Sequence, residues 1–184
     1  MIYSLAMISN FINGTVIDTL NGQETKINLL IENGILKGMG YLPDEDDKGI
    51  TVIDIRGHVV LPNVVNAQDF VQPTMSDCIT LTDLKNYSPI QTKTIQIVTS
   101  QDPMPLAQFV EEALTILIGQ HKLSIGDVIK MISTNPRKRF HIKQDGIGLS
   151  KKPNFIIAKL PTDTTPAKVA YIVQNGEILN INPV

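Results

Sequence analysis

Acid–base and nucleophilic chemistry near neutral pH draws mainly on His, Cys and carboxylates, and the chain carries only His58, His121, His141 and a single cysteine, Cys78. A zinc role for any of these histidines requires at least two further ligands converging on it. His58 sits in a strand-like run and reads as a partly exposed sheet residue. His121 follows Gly119-Gln120 at the end of a helical pattern, where a cation suits the negative end of the helix dipole. His141 flanks Arg137-Lys138-Arg139, a run that reads as a solvated helix face before it reads as a phosphate site. Cys78 as a nucleophile needs a lowered pKa and a base; its neighbours Ser76-Asp77 and Ile79-Thr80 offer no cation. Asp102 would need an electrophile and a partner to act as acid or base, and its place before Pro103 predicts a helix N-cap. The carboxylates of Asp44-Glu45-Asp46-Asp47 are consecutive, unlike the spaced ligands of a calcium loop, and predict a solvated connection.

Four Asn-Gly pairs, at residues 13–14, 21–22, 33–34 and 175–176, lie beside β-branched or alternating runs and signal hairpins. The pattern predicts strands over Phe11 to Asp18, Glu24 to Glu32, Ile35 to Tyr41, Thr51 to Asp54, Asn154 to Lys159, Ala170 to Gln174 and Glu177 to Asn180. Helical spacing over Pro105 to Gln120 predicts an amphipathic helix, and Ser124 caps a second that runs to about Met131. Asn135 is placed to cap a short helix with Pro136 at its first position. Strands at both ends with helices between them predict an α+β fold. In it, residues 1–60 and 147–184 build a composite β-sandwich and 61–146 form an insertion.

At 184 residues with 42% hydrophobic content, the chain can bury an ordinary globular core. A net charge of -2 without a clustered basic face argues against nucleic acid or anionic membrane as a partner. The apolar opening lacks a basic n-region, no run is long enough for a membrane span, and one cysteine allows no internal disulfide. The cytoplasm is the expected compartment.

Several runs resemble the amidohydrolase superfamily, with dihydroorotase the nearest branch. Asn33-Gly34-Ile35-Leu36-Lys37-Gly38-Met39-Gly40 is similar to the family's "E-x-G-x-I-x-x-I-G" strand pair. Val52 to His58 and Leu61 to Phe70 follow "V-I-D-x-x-G-x-x-V-L-P-G" and the Asp-x-His-x-His that binds metal in a (β/α)8 barrel. Ser133 to Phe140 resembles "S-x-N-P-A-K-x-F", and Gly146 to Ile157 resembles the run that returns to the sandwich. The resemblance puts the metal-binding His positions at Gln68 and Phe70 and the substrate-binding Arg at Gln72. It puts the catalytic Asp and the adjacent substrate-binding His of "I-A-T-D-H-A-P-H" at Ser100 and Gln101. A full barrel takes about 250 residues, and about thirty lie between the first barrel strand (His58 to Val65) and the last (Thr94 to Thr99). The resemblance therefore implies a barrel remnant whose first and last strands are placed to pair in parallel. It implies no catalytic residue and no cofactor, zinc being expected only in intact members. The function it implies is that of an inactive dihydroorotase-like structural or regulatory subunit, as a homo-oligomer or in complex with a pyrimidine-pathway enzyme such as aspartate transcarbamoylase. The alternative is a metal-dependent cyclic amide hydrolase completed by another chain.

Overall fold

The computed structural model describes residues 8–18, 23–42, 44, 49–62, 64–70, 75–86, 96–143, 147–149 and 151–181. In chain order they form β1 (Ile8–Ile17), β2 (Glu24–Glu32), β3 (Ile35–Met39), β4 (Ile50–Asp54) and β5 (Val59–Pro62). β6 (Cys78–Thr80), α1 (Leu81–Leu84), β7 (Ile97–Thr99), α2 (Leu106–Leu114), α3 (Ile125–Ile129) and α4 (Asn135–Arg139) follow. Then come β8 (Phe155–Lys159), β9 (Lys168–Gln174) and β10 (Glu177–Asn180). The class is α+β.

Eight of these strands make one sheet in the order β10-β9-β8-β5-β1-β2-β3, with β4 alongside β1. The two terminal segments meet through β5, which lies parallel to β1 and antiparallel to β8. Because side chains alternate across a strand, these central strands face two apolar cores. Val60, Phe155, Ile157 and Tyr171 join Phe11, Leu29 and Leu36 on one side. Val59, Leu61, Ile156 and Ala158 meet the helices through Phe109, Leu114, Val128 and Ile132 on the other. Ring edges fix the first core: Phe11 meets Phe155 at 6.0 Å and Tyr171 at 5.5 Å, both edge to face. Ala170 is an extra residue opposite β8, where the register slips between Ile157 and Ala158.

The sheet curls until two of its hairpin turns touch. Asn33-Gly34 and Asn175-Gly176 both have positive φ at both positions, 50° and 76° in one turn and 51° and 81° in the other. That is the type I′ signature the sequence predicts. A Cβ on Gly176 would collide with the backbone carbonyl of Gly34, so the two turns abut main chain to main chain.

Several expectations change. Asn13-Gly14 is not a hairpin turn but a bulge inside β1, where the pairing with β2 shifts between Phe11 and Gly14. Asn13 takes φ 63° there and its backbone N–H donates to Asn28 Oδ1 at 2.9 Å, so the strand continues past it. Asn21-Gly22 lies outside the described residues, as do Glu45, Asp46 and Asp47. The barrel strands do not pair with each other: among the described residues β7 pairs in parallel with β6, a strand inside the stretch the sequence reading left empty. Its three residues are too few to show a period. Asp102 does not cap α2; Pro105 holds that position without a side-chain bond, because the helix starts later, at Leu106. Asn135 is not a cap either. The helix runs unbroken into it at φ -69° and ψ -48°, which frees its amide to donate to Gln96 O at 2.9 Å. Ser124 caps α3 as expected, accepting from Asp127 N at 3.2 Å.

Both long helices widen into π-helical turns, at Thr115–Gln120 and Lys130–Thr134. At the start of the first, Thr115 Oγ1 donates back to Glu111 O at 2.7 Å and accepts from Ala167 N at 2.9 Å. Glu111 Oε1 accepts from Val169 N at 2.9 Å, tying α2 to the start of β9. Among the described residues, no helix is long and apolar enough to cross a membrane.

Candidate functional site

The segment that leaves β5 reaches the C-terminal end of β7, where Asn66 bonds to Thr99 and Ser100, and the segments that leave the two strands carry the positions singled out by sequence. Three bonds from the α3–α4 region position the two strands. Ser133 Oγ donates to Pro62 O at 3.1 Å, Val65 N donates to Ile132 O at 2.9 Å, and Asn135 holds Gln96 at the start of β7. The π-helical turn at Lys130–Thr134 thus holds the end of β5 through Ile132 and Ser133, and Asn135, the next residue, holds the start of β7.

At the centre is Asn66, a residue sequence reasoning passed over. Its Oδ1 accepts from Thr99 Oγ1 at 3.0 Å and from Ser100 N at 3.1 Å, and its Nδ2 donates to Ser100 Oγ at 2.7 Å. Thr99 and Ser100 are both buried. The signal was available: Asn66 stands two residues before Gln68, where the Asp of Asp-x-His-x-His would fall. Gln68 and Phe70 lie on a short 3-10 turn, Gln68–Phe70. Gln68 is half-buried, and Phe70 is 45% exposed and stacks on Phe140 at 5.5 Å with an interplanar angle of 24°. Gln101 and Asp102 are exposed beyond Ser100. Gln72 lies outside the described residues.

The chemistry of this cluster is that of a hydrogen-bonded strut. An amide locks two hydroxyl-bearing residues, and an amide is not a base that could activate Ser100. Tested against a zinc site, the donor set does not fit. Phe70 has no lone pair, a neutral glutamine amide is a weak ligand, and the Ser100 hydroxyl is engaged with Asn66. Among the described residues, no group of three or more His, Cys, Asp or Glu could hold a metal ion.

The other candidates are dispersed. His58 precedes β5, its Nδ1 3.2 Å from Arg56 O. His121 stands at the C-cap of its helix, where its backbone N–H donates to Ile116 O at 3.0 Å, and its ring lies 3.0 Å from Leu84 O, which ties the helix end to α1. His141 is exposed at φ 52° after α4, and Lys138 and Arg139 are exposed on that helix's last turn. Cys78 starts β6. Burial pushes its thiol up to about 11, and the neighbouring Asp77 carboxylate adds to the shift. A raised pKa keeps the thiol protonated at neutral pH. Alkylation by iodoacetamide is therefore expected to be about a hundredfold slower than for an ordinary cysteine. Its rate should climb until near pH 11; a plateau near pH 9 would contradict the burial.

No family model and no curated protein matches this sequence. Solved structures match in part. A dihydropyrimidinase from Brevibacillus agri NCHU1002 is 25% identical over 33% of this chain and 12% of its own, with a TM-score of 0.27. An amidohydrolase is 23% identical over 33% of this chain and 14% of its own, at 0.28. A D-hydantoinase is 16% identical over 57% of this chain and 23% of its own, at 0.27. The chain thus spans under a quarter of each of these structures. Superpositions this loose establish neither fold nor activity.

Proposed function

We propose that this chain is a non-catalytic, dihydroorotase-like protein that works as a structural or regulatory subunit. The observation that carries the proposal is the Asn66–Thr99–Ser100 strut, which joins the segment after β5 to the end of β7 with mutually satisfied neutral groups. A catalytic centre for cyclic amide hydrolysis would need there a metal or a base to activate water. The division into a sandwich of 1–60 and 147–184 and a barrel remnant of 61–146 belongs to the same proposal, as does work in an assembly. Self-association is the smaller claim; aspartate transcarbamoylase as partner follows from the family resemblance alone.

Elemental analysis of the purified, dialysed protein is expected to find no stoichiometric zinc, and the same preparation should not hydrolyse dihydroorotate or hydantoin-type rings above the buffer rate. About one zinc per chain together with turnover would overturn the proposal and favour a metal-dependent cyclic amide hydrolase.

A further inference from the structure

Asparagine followed by glycine is prone to cyclise, because glycine has no side chain to shield its backbone nitrogen from the asparagine amide carbon. Three such pairs lie among the described residues, and their surroundings differ. At Asn175-Gly176 the nitrogen that would attack, Gly176 N, donates to Pro153 O at 3.0 Å, and Asn175 N donates to Asn154 Oδ1 at 3.0 Å. Gly176 is also buried. At Asn13-Gly14 the nitrogen that would leave, Asn13 Nδ2, donates to Asp54 Oδ1 at 3.0 Å. That pair lies inside β1, with Gly14 opposite Ile27 of β2. Asn33 stands exposed at a hairpin tip. Among the described residues, neither its amide nor Gly34 N is bonded to another segment.

From this contrast we propose that Asn33 is a site of spontaneous deamidation in the folded protein, with Asn175 and Asn13 guarded by their hydrogen bonds. Gly34 N gives its proton to solvent base and bonds to Asn33 Cγ. The Cγ–Nδ2 bond breaks, and Nδ2 takes up a proton and leaves as ammonia. Water then opens the succinimide at either carbonyl, giving aspartate or isoaspartate at position 33. No oxidant or reductant enters. The isoaspartate product lengthens the backbone of a two-residue turn that abuts Gly176, so the modification falls where the curled sheet closes.

The test is peptide mapping by mass spectrometry of the full chain aged in mildly alkaline buffer, once folded and once in concentrated urea. In urea only local sequence remains, and the three pairs should react at similar rates. In the folded chain Asn33 should react at least about threefold faster than Asn175 or Asn13, the factor that one or two hydrogen bonds of ordinary net strength supply. Equal folded-state rates at positions 33 and 175, or a faster reaction at Asn175 or Asn13, would overturn the proposal.

Discussion

Gly176→Ala is expected to destabilise the protein by more than about 3 kcal/mol. Two costs combine. The residue sits at φ +81°, where an L side chain costs about 1–2 kcal/mol. Its new Cβ would also run into the carbonyl oxygen, carbonyl carbon and Cα of Gly34, which are backbone atoms and cannot rotate aside as a side chain can. One turn must therefore shift, which pulls on β9 and β10 or on β2 and β3. Gly34→Ala is the matched control. Its φ is +76°, but the nearest atoms to its Cβ lie at 3.7 and 3.8 Å, an ordinary contact, so only the conformational cost of about 1–2 kcal/mol applies. Urea unfolding midpoints of the two variants measure the difference. Equal losses would show that the turns do not meet.

Removing Asn154 to Val184 is expected to unfold the N-terminal strands as well. The deletion takes β8 from β5, and takes Phe155 and Tyr171 from the rings packed on Phe11. Phe155, Ile156, Ile157, Tyr171, Ile172 and Val173 are all buried. At about 2 kcal/mol for each such side chain, their loss exceeds about 10 kcal/mol, comparable to the whole stability of a typical domain. Hydrogen exchange of the truncated chain should find no slow amides in β1 and β2. Persistent protection there would show that the N-terminal hairpin folds alone.

What the sequence made legible follows the range of the forces involved. The turns at Asn33-Gly34 and Asn175-Gly176, the Ser124 cap and the helical stripe from Leu106 to Leu117 are decided by neighbours a few residues away, and each is present. Asn13-Gly14 carries the same dipeptide as the true turns, yet it bulges inside a strand. What decides it is distant: Asn28 accepts from its backbone N–H, and β4 hydrogen-bonds along the other edge of β1. The positions Gln68, Phe70, Ser100 and Gln101 could be picked out by pattern, but the residue that knits that region is Asn66. Its bonds to Thr99 and Ser100 join positions more than thirty residues apart in sequence, which no local period records.

The place of β5 in the sheet has a consequence for synthesis. Its partner β8 lies roughly ninety residues downstream, so at about 5–20 residues per second a ribosome takes on the order of 5–20 seconds to supply it. During that interval Val59, Val60 and Leu61, each buried in the finished protein, have β1 but not β8 against which to lie. Pairing so far apart along the chain also slows folding after release, since the loop must close before the contacts form. The nascent chain is thus most exposed to aggregation late in translation, and a holdase that binds extended apolar strands would have its longest opportunity there.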